Sequence, residues 1–408
     1  MTAVTPSDAM TTDLLVIGGG VMGLWAAWTA ARAGIDTLLL DATGPGEGKA
    51  SLTPVGALAP FTNAPKEAAL ADFQAEALMS LPATVAALEA ATGCEVGYRV
   101  GGRAVPLPDA PARARAERVI AEGAARFPKA PDGGPAVWRL SDGAELAVVA
   151  PAFRAAGAMM EGVTAQLDSG AYLAALRAGV AKDARLREGW AVKRLSPAPG
   201  GGWIAEGPAG AVSAERVILA AGWGAAGLSL PLGVGTLRPV RGQAAWLRLP
   251  PGVLDEDMPV IHAQKVYVAH HGGGRVGIGA TTEHGETADG TDARLDNLVA
   301  RAIEIVPALA EATVERRWSA VRPRPPQHHP QIGAVPEAAA GAPGLWLAAG
   351  TYKIGVGLAH HAATGLVAAM TEQGAPAQAL PEAFRPTVVA SSGDRQDGAH
   401  GAPGAAHR

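Results

Sequence analysis

The sequence predicts an α/β fold in which one domain, assembled from separated segments of chain, carries a second domain rich in antiparallel strands as an insertion. Three observations predict it. An apolar strand runs into a glycine turn and a helix at residues 14–33. Similar strand-to-small-residue turns recur at residues 216–222 and 345–350. Strand-prone stretches, residues 243–249, 260–269 and 275–280, lie between the last two.

The opening stretch carries the most information. Leu14-Leu15-Val16-Ile17 is apolar and β-prone, and it meets Gly18-Gly19-Gly20-Val21-Met22-Gly23 at G-x-G-x-x-G spacing. An alanine-rich apolar segment, residues 24–33, has helix-forming character. Gly18 permits the tight turn, Gly20 lets a pyrophosphate approach the backbone, and Gly23 lets the helix pack close to the strand. A second strand, residues 37–40, ends at Asp41, where an acid about 20 positions beyond the turn accepts from a ribose hydroxyl. Strand, turn, helix, strand and terminal acid together point to a bound adenine dinucleotide.

At 408 residues the chain exceeds what one compact core usually holds, so two domains are expected. A formal net charge of −4 argues against a nucleic-acid partner. The single cysteine, Cys94, excludes an intramolecular disulfide framework and fits a reducing cytoplasm. Residues 1–13 lack the basic start and apolar core of a secretory signal. No apolar run reaches the ~18–20 residues of a membrane span. A soluble, cytoplasmic protein is expected, with homo-oligomerisation left open.

Further along, residues 1–12 read as a loose arm and residues 43–60 as a Gly/Pro-rich loop long enough to be functional. Residues 66–93 read as a helix, with Leu70, Phe73, Leu78, Leu81, Val85 and Leu88 on one face. Short strand signals follow at 96–98 and 103–105, then a helix at 111–126, another at 169–182, and a strand at 190–192. Residues 270–274 read as a hairpin turn, residues 294–310 and 358–372 as helices, and residues 388–408 as a disordered tail.

The ordered motifs resemble a known family. They are Gly18-x-Gly20-x-x-Gly23, Asp41, Ala50-Ser51 with Gly56, Thr92-Gly93-x-x-x-Gly97-Tyr98, Ala220-Ala221-Gly222-Trp223 and Arg238-Pro239-Val240-Arg241-Gly242-Gln243. Gly279-Ala280-Thr281-Thr282-Glu283, Trp318-x-x-x-Arg322-Pro323 and the run from Gly350 to Gly357 complete the series. In that order they resemble the FAD-dependent D-amino acid oxidase (DAO) superfamily, closest to the glycine oxidase and DadA-like branch, over residues 13 to about 372.

The resemblance implies a Rossmann-type, glutathione-reductase-like FAD-binding domain at residues 13–65, 150–235 and 325–385. It implies a substrate domain with a large mixed, mostly antiparallel sheet at 66–149 and 236–324. By the same similarity Val21 and Met22 meet the pyrophosphate, and Asp41 with Ala42 the ribose. Ala50, Ser51, Val55, Gly56 and Ala57 line the pyrophosphate and flavin, Val192 presents backbone to the adenine, and Gly222 belongs to the cofactor turn. Gly350, Thr351, Tyr352, Lys353, Gly355, Val356 and Gly357 run along the isoalloxazine.

In such a family the flavin accepts a hydride from the carbon bearing the amine, so the protein's informative residues are anchors. Arg322 matches the carboxylate-binding arginine, whose planar fork grips a carboxylate at two points. Tyr267 matches an aromatic facing the substrate. Two departures stand out. The branch usually reads Gly-His-aromatic-Arg-Asn-Gly where this chain has Gly350-Thr351-Tyr352-Lys353-Ile354-Gly355, and Arg324-Pro325-Pro326-Gln327 replaces a Thr-Pro-Asp-like run. Lys353 keeps the charge without the fork, so it binds a carboxylate, tunes the flavin or is simply solvated.

The implied activity is oxidation of the C–N bond of an amino acid or N-substituted amino acid, with oxygen or a quinone taking the electrons. Alternatives are a D-amino-acid-type dehydrogenase, a sarcosine-oxidase-like amine oxidase and a non-catalytic FAD-binding subunit. The histidine pairs at 270–271, 328–329 and 360–361 lack zinc-ligand spacing and read as turn and loop residues, so no metal is expected. Trp25 and Trp28 read as packing residues.

Overall fold

The structure, a computed structural model, describes residues 10–46, 49–60, 67–149, 155–229, 237–371 and 380–387. The opening signal folds as strand Met10–Ile17, helix Val21–Arg32 and strand Thr37–Asp41, the two strands pairing in parallel. Leu14, Leu15 and Val16 are completely buried, as befits a central parallel strand covered on both faces. The strand begins earlier than expected. Met10, Thr11 and Thr12 belong to the sheet rather than to a loose arm, opposite Val212, Ser213 and Ala214. The Thr12 hydroxyl donates to the Asp36 carbonyl at 2.8 Å, which lets a polar residue sit buried there. The expected tails at 1–9 and 388–408 lie outside the described residues.

Strand Gly210–Leu219 flanks Met10–Ile17 on the other side. Its first half pairs with Trp203–Gly207 and its second with Leu345–Ala349, so the middle and late strand-turn signals do converge on the first. Residues 190–192, expected as a strand, form none. Gly189, at φ +68°, ends the edge strand Arg185–Glu188 instead. The following loop is held by Trp190 N–H donating to the Asp41 carbonyl at 2.9 Å.

Among the described residues the second sheet has nine strands. Its spine is the antiparallel pair Arg238–Arg248 and Thr313–Arg324, with Arg275–Gly279 and Val266–His270 next in order. The stretch expected as one strand at 260–269 is two, Val260–Ala263 and Val266–His270. They turn at Gln264 and Lys265, both left-handed at φ +47° and +65°. No glycine or asparagine marks that turn, and the run reads as continuous. Gly157–Glu161 also pairs in this sheet, between Arg103–Pro106 and Trp138–Asp142, although residues from 150 onward were expected in the first domain. Residues 96–98 form no strand. Arg99–Val100 pairs with Ala165–Gln166, which also pairs with Ala57–Leu58.

Helix Ala68–Thr92 buries Leu78, Leu81, Val85 and Leu88 and ends at Gly93 in a left-handed cap. It packs on helices Gly355–Thr371 and Ser169–Asp183. Trp25 and Trp28 pack as expected and satisfy their indole N–H groups on the Tyr172 hydroxyl at 2.7 Å and the Asp183 carboxylate at 2.9 Å. Helix Ala293–Ile305 covers the second sheet through Leu295, Leu298 and Ala302. Among the described residues no helix is long and apolar enough to cross a membrane.

A Cβ at Gly23 would stand 1.8 Å from the Gly18 carbonyl oxygen, a backbone atom. Gly23→Ala must therefore push the first helix off its strand and is expected to cost about 1–3 kcal/mol or more. Urea unfolding of the FAD-free chain checks this, since a loss there cannot come from lost cofactor contacts.

Candidate active site

A cavity of about 1580 Å³ is bounded by the glycine turn on one side and by the second sheet on the other. At its first-domain end, Gly18 takes φ +113°, and a Cβ there would stand 2.6 Å from the Ala220 carbonyl oxygen. At Gly20 a Cβ would find only Ser51 Oγ, at 3.5 Å. Gly18 is thus required by the close approach of strand and turn, and Gly20 leaves bare backbone on the cavity wall. Ser51 Oγ accepts from Val21 N–H at 3.1 Å, capping the helix whose dipole points into this space.

Asp41 is buried at the end of its strand. Its Oδ1 accepts from Thr43 N–H at 3.2 Å. Its Oδ2 pairs with Lys49 Nζ at 2.7 Å and Arg177 Nη1 at 3.4 Å. A carboxylate has about four lone-pair sites, so acceptor capacity remains for ribose hydroxyls. Gly19, which the motif leaves unconstrained, is dictated by this acid: a Cβ there would stand 2.1 Å from Asp41 Oδ2. Sequence reasoning also missed Lys49, for which the only signal was a cation next to Ala50-Ser51.

Ala42, Ala50, Val55, Gly56, Ala57, Val192, Gly222, Gly350, Thr351, Tyr352, Lys353, Gly355 and Val356 join Gly18, Gly20, Val21, Met22, Asp41 and Ser51 on the wall. Gly23 and Gly357 do not reach it. Gly23 is committed to helix packing, and a Cβ at Gly357 would make ordinary contact with Leu58 at 3.6 Å. Gly355 opens the last helix, and a Cβ there would meet Thr351 Oγ1 at 2.6 Å. Bare backbone, a serine-capped helix N-terminus, a buried acid and a long cavity are what an extended dinucleotide needs, so these residues fit FAD.

At the second-sheet end, strand Thr313–Arg324 carries Arg322 into the wall, buried to 7 % exposure. Its guanidinium lies over the adjacent strand at Gly242, where a Cβ would stand 1.9 Å from Nη2. Gly242 is therefore the condition for Arg322's position. Arg322 Nη1 donates to the Thr281 carbonyl at 3.2 Å, and burial pulls its pKa down. Among the described residues no carboxylate lies within ion-pair distance of it, which leaves most of its donor fork unused.

Tyr267 is placed at the same wall, but its hydroxyl is engaged by Arg103, whose guanidinium forms a fully buried ion pair with Glu161. The ring is thus the anchored feature. It stacks on His262 with centroids 3.9 Å apart and planes within 10°, the two being cross-strand partners. Burial, followed by Arg103 and Lys353, pulls the His262 pKa down to about 3, so the imidazole is neutral at physiological pH. Its Nδ1 has no partner among the described residues. The missed hairpin turn hid His262, since recognising it would have set His262 opposite Tyr267.

Lys353 projects from the late glycine turn and donates to Thr282 Oγ1 at 3.3 Å. Its side chain is exposed at the cavity mouth, where it is crowded by neighbouring cations. Burial and then Arg322, Arg324 and Lys265 bring its pKa down to about 8. The pairs at 270–271 and 328–329 lie at a hairpin end and in a loop, but the third departs from the turn-and-loop reading. His360 and His361 lie within helix Gly355–Thr371, His360 bonding Ser80 Oγ at 2.9 Å and His361 meeting Glu76 at 3.3 Å. Among the described residues no group of three or more His, Cys, Asp or Glu is placed to hold a metal ion.

Comparison with known proteins agrees with this geometry. Residues 13–370 match the FAD dependent oxidoreductase family model. The chain is 34 % identical to the glycine oxidase of Pseudomonas putida over 152 residues, a stretch covering 37 % of this chain and 40 % of that enzyme. It thus spans less than half the length of that relative. Its fold matches the solved glycine oxidase of Geobacillus kaustophilus with a TM-score of 0.80 and 25 % identity, over 93 % of this chain and 99 % of the other. It matches iminodiacetate oxidase of Chelativorans sp. BNC1 with a TM-score of 0.79 and 26 % identity, over 91 % and 98 %. The chain belongs to the FAD dependent oxidoreductase family, in the glycine-oxidase-like branch of the D-amino acid oxidase superfamily, and FAD is its cofactor.

Proposed function

We propose that this protein oxidises the C–N bond of an amino acid or N-substituted amino acid, with dioxygen as final acceptor and hydrogen peroxide as product. The observation that carries the reading is Arg322: a buried guanidinium, unpaired with any carboxylate among the described residues, in the same cavity as the glycine cradle. A buried charge without a partner is costly, and a substrate carboxylate relieves that cost. The likeness to enzymes named glycine oxidase and iminodiacetate oxidase supports the substrate class and the choice of acceptor.

When bound, FAD supplies the hydride acceptor. Arg322 grips the carboxylate and fixes the α-carbon's position, which for a well-oriented reaction is worth several kcal/mol of barrier, about 7–11 at the extreme. The Tyr267–His262 stack forms a flat aromatic wall beside the substrate. The substrate loses its α-hydrogen as hydride and its amine proton to solvent. Water then adds to the resulting imine, releasing an oxo acid and an amine or ammonia. His262, neutral and with a low pKa, is suited to accept a hydrogen bond rather than to take the proton.

The domain division is proposed as residues 13–65, 150–235 and 325–385 for FAD and 66–149 with 236–324 for substrate, except that strand Gly157–Glu161 goes with the second. A cytoplasmic setting is proposed from the single cysteine.

Steady-state oxygen uptake with small amino acids and their N-methyl derivatives tests the reading. Arg322→Ala is expected to raise KM by about 100-fold or more, since losing one partner of a desolvated charge pair costs ~2–5 kcal/mol. An unchanged KM in a folded, FAD-loaded variant would remove Arg322 from the site.

The Lys353 ammonium is charged below about pH 8 and neutral above it. Inhibition by glutarate, a dicarboxylate that does not titrate in this range and extends beyond Arg322 towards Lys353, is therefore expected to weaken as pH rises from 7 to 9.5. In Lys353→Arg the inhibition constant should stay flat, because a guanidinium keeps its proton.

A further inference from the structure

The substrate end of the cavity carries more positive charge than one carboxylate uses. Arg322, Lys353 and Lys265 line the main cavity. Arg324 and Lys353 line a smaller adjoining cavity of about 200 Å³. The four cations come from three separate places. Arg322 and Arg324 stand two residues apart on one strand, and therefore on one face of it. Lys265 sits at the left-handed hairpin turn, and Lys353 in the late glycine turn. Arg324 and Lys353 both approach the Tyr352 ring, at 5.8 and 5.3 Å from its centroid.

No carboxylate among the described residues forms an ion pair with any of these four. Elsewhere the chain pairs its enclosed cations: Arg103 with Glu161, Lys49 with Asp41, Arg241 with Asp292 and Arg275 with Asp168. Their mutual influence is direct, since Arg322, Arg324 and Lys265 all lower the pKa of Lys353. Arg322 is buried, Arg324 half-buried and Lys353 and Lys265 exposed, so together they give the cavity mouth a positive potential that favours an anion. Glu283 bears on Arg322 from a distance, and a single carboxylate on Arg322 leaves Lys353 and Lys265 without an anionic partner among the described residues.

We infer that the substrate is a dicarboxylic amine, one carboxylate held by Arg322 and the second by Lys353 and Lys265. This rests on the amino-acid oxidation proposed above and narrows it. The second anion reaches the lysines at the cavity side of the Tyr352 turn, while the amine-bearing carbon stays at the Arg322 end. Point-charge ammonium groups suit this distal role, because they hold an anion without dictating its plane.

The test titrates the FAD-loaded protein with glutarate and butyrate, which share a three-carbon chain bearing one carboxylate and differ by a second carboxylate at its far end, following the change in flavin absorbance. Glutarate is expected to bind about tenfold or more tightly than butyrate, a gap of roughly 1.4 kcal/mol. In Lys353→Gln/Lys265→Gln, checked for retained FAD, that gap should collapse. Equal dissociation constants in the parent protein, or a gap that survives the double substitution, would overturn the inference. Anaerobic flavin reduction by N-methylaspartate and by N-methylalanine, both enantiomers of each, separates the two claims. Reduction by N-methylalanine as efficient as by N-methylaspartate overturns the dicarboxylate inference and leaves the oxidation reading standing. A glutarate preference that vanishes in the lysine variant, with no amine reducing the flavin, supports the charge assignment and removes the oxidation reading.

Discussion

The structure depends on one close approach of backbone, where Gly18, Gly23 and Ala220 meet. A Cβ at Gly18 or Gly23 would stand 2.6 Å or 1.8 Å from a carbonyl oxygen. That contact sets the first helix against the first strand and aims its N-terminus into the cavity. It also joins strand Gly210–Leu219, which brings Leu345–Ala349 alongside it. Three stretches more than a hundred residues apart thereby become one wall. The inserted sheet roofs that wall and delivers Arg322.

The two ends of the cavity use charge in opposite ways. At the nucleotide end Asp41 is matched by Lys49 and Arg177, a closed set that holds the acid in place and leaves it lone pairs to share. At the other end Arg322, Arg324, Lys265 and Lys353 gather with no ion-paired acid among the described residues, Glu283 acting on Arg322 from beyond ion-pair distance. Between them the fully buried Arg103–Glu161 pair secures the Tyr267 hydroxyl. A satisfied buried pair positions a side chain, whereas an unsatisfied cluster calls for a ligand.

Much of this was legible in the sequence because local physics dictates it. The glycine turn, the strand ending in Asp41 and the apolar face of helix Ala68–Thr92 each follow from residues close together in the chain. What escaped was set by distant partners. The Gln264-Lys265 turn carries no turn-forming residue, so two strands read as one, and His262 and Lys265 were overlooked. Strand Thr313–Arg324 begins with charged, exposed residues whose β character comes from pairing with Arg238–Arg248. Gly19 and Gly242 look like spare glycines until Asp41 and Arg322 are seen against them. Residues 190–192 have strand composition, yet Gly189 turns them out of the ladder, where Trp190 N–H still donates to the Asp41 carbonyl. The Arg322, Tyr267 and Lys353 assignments came from the family likeness. The structure places all three on the cavity wall and ties the Tyr267 hydroxyl to Arg103.

The central claim is that an amine reduces an FAD held in this cavity, and an anaerobic absorbance scan of the purified protein tests it most directly. The panel is glycine, sarcosine, D-amino acids and larger secondary amines. The account predicts a flavin spectrum that one member of the panel bleaches and that oxygen restores with release of hydrogen peroxide. A protein that retains FAD but is bleached by none of them would contradict it.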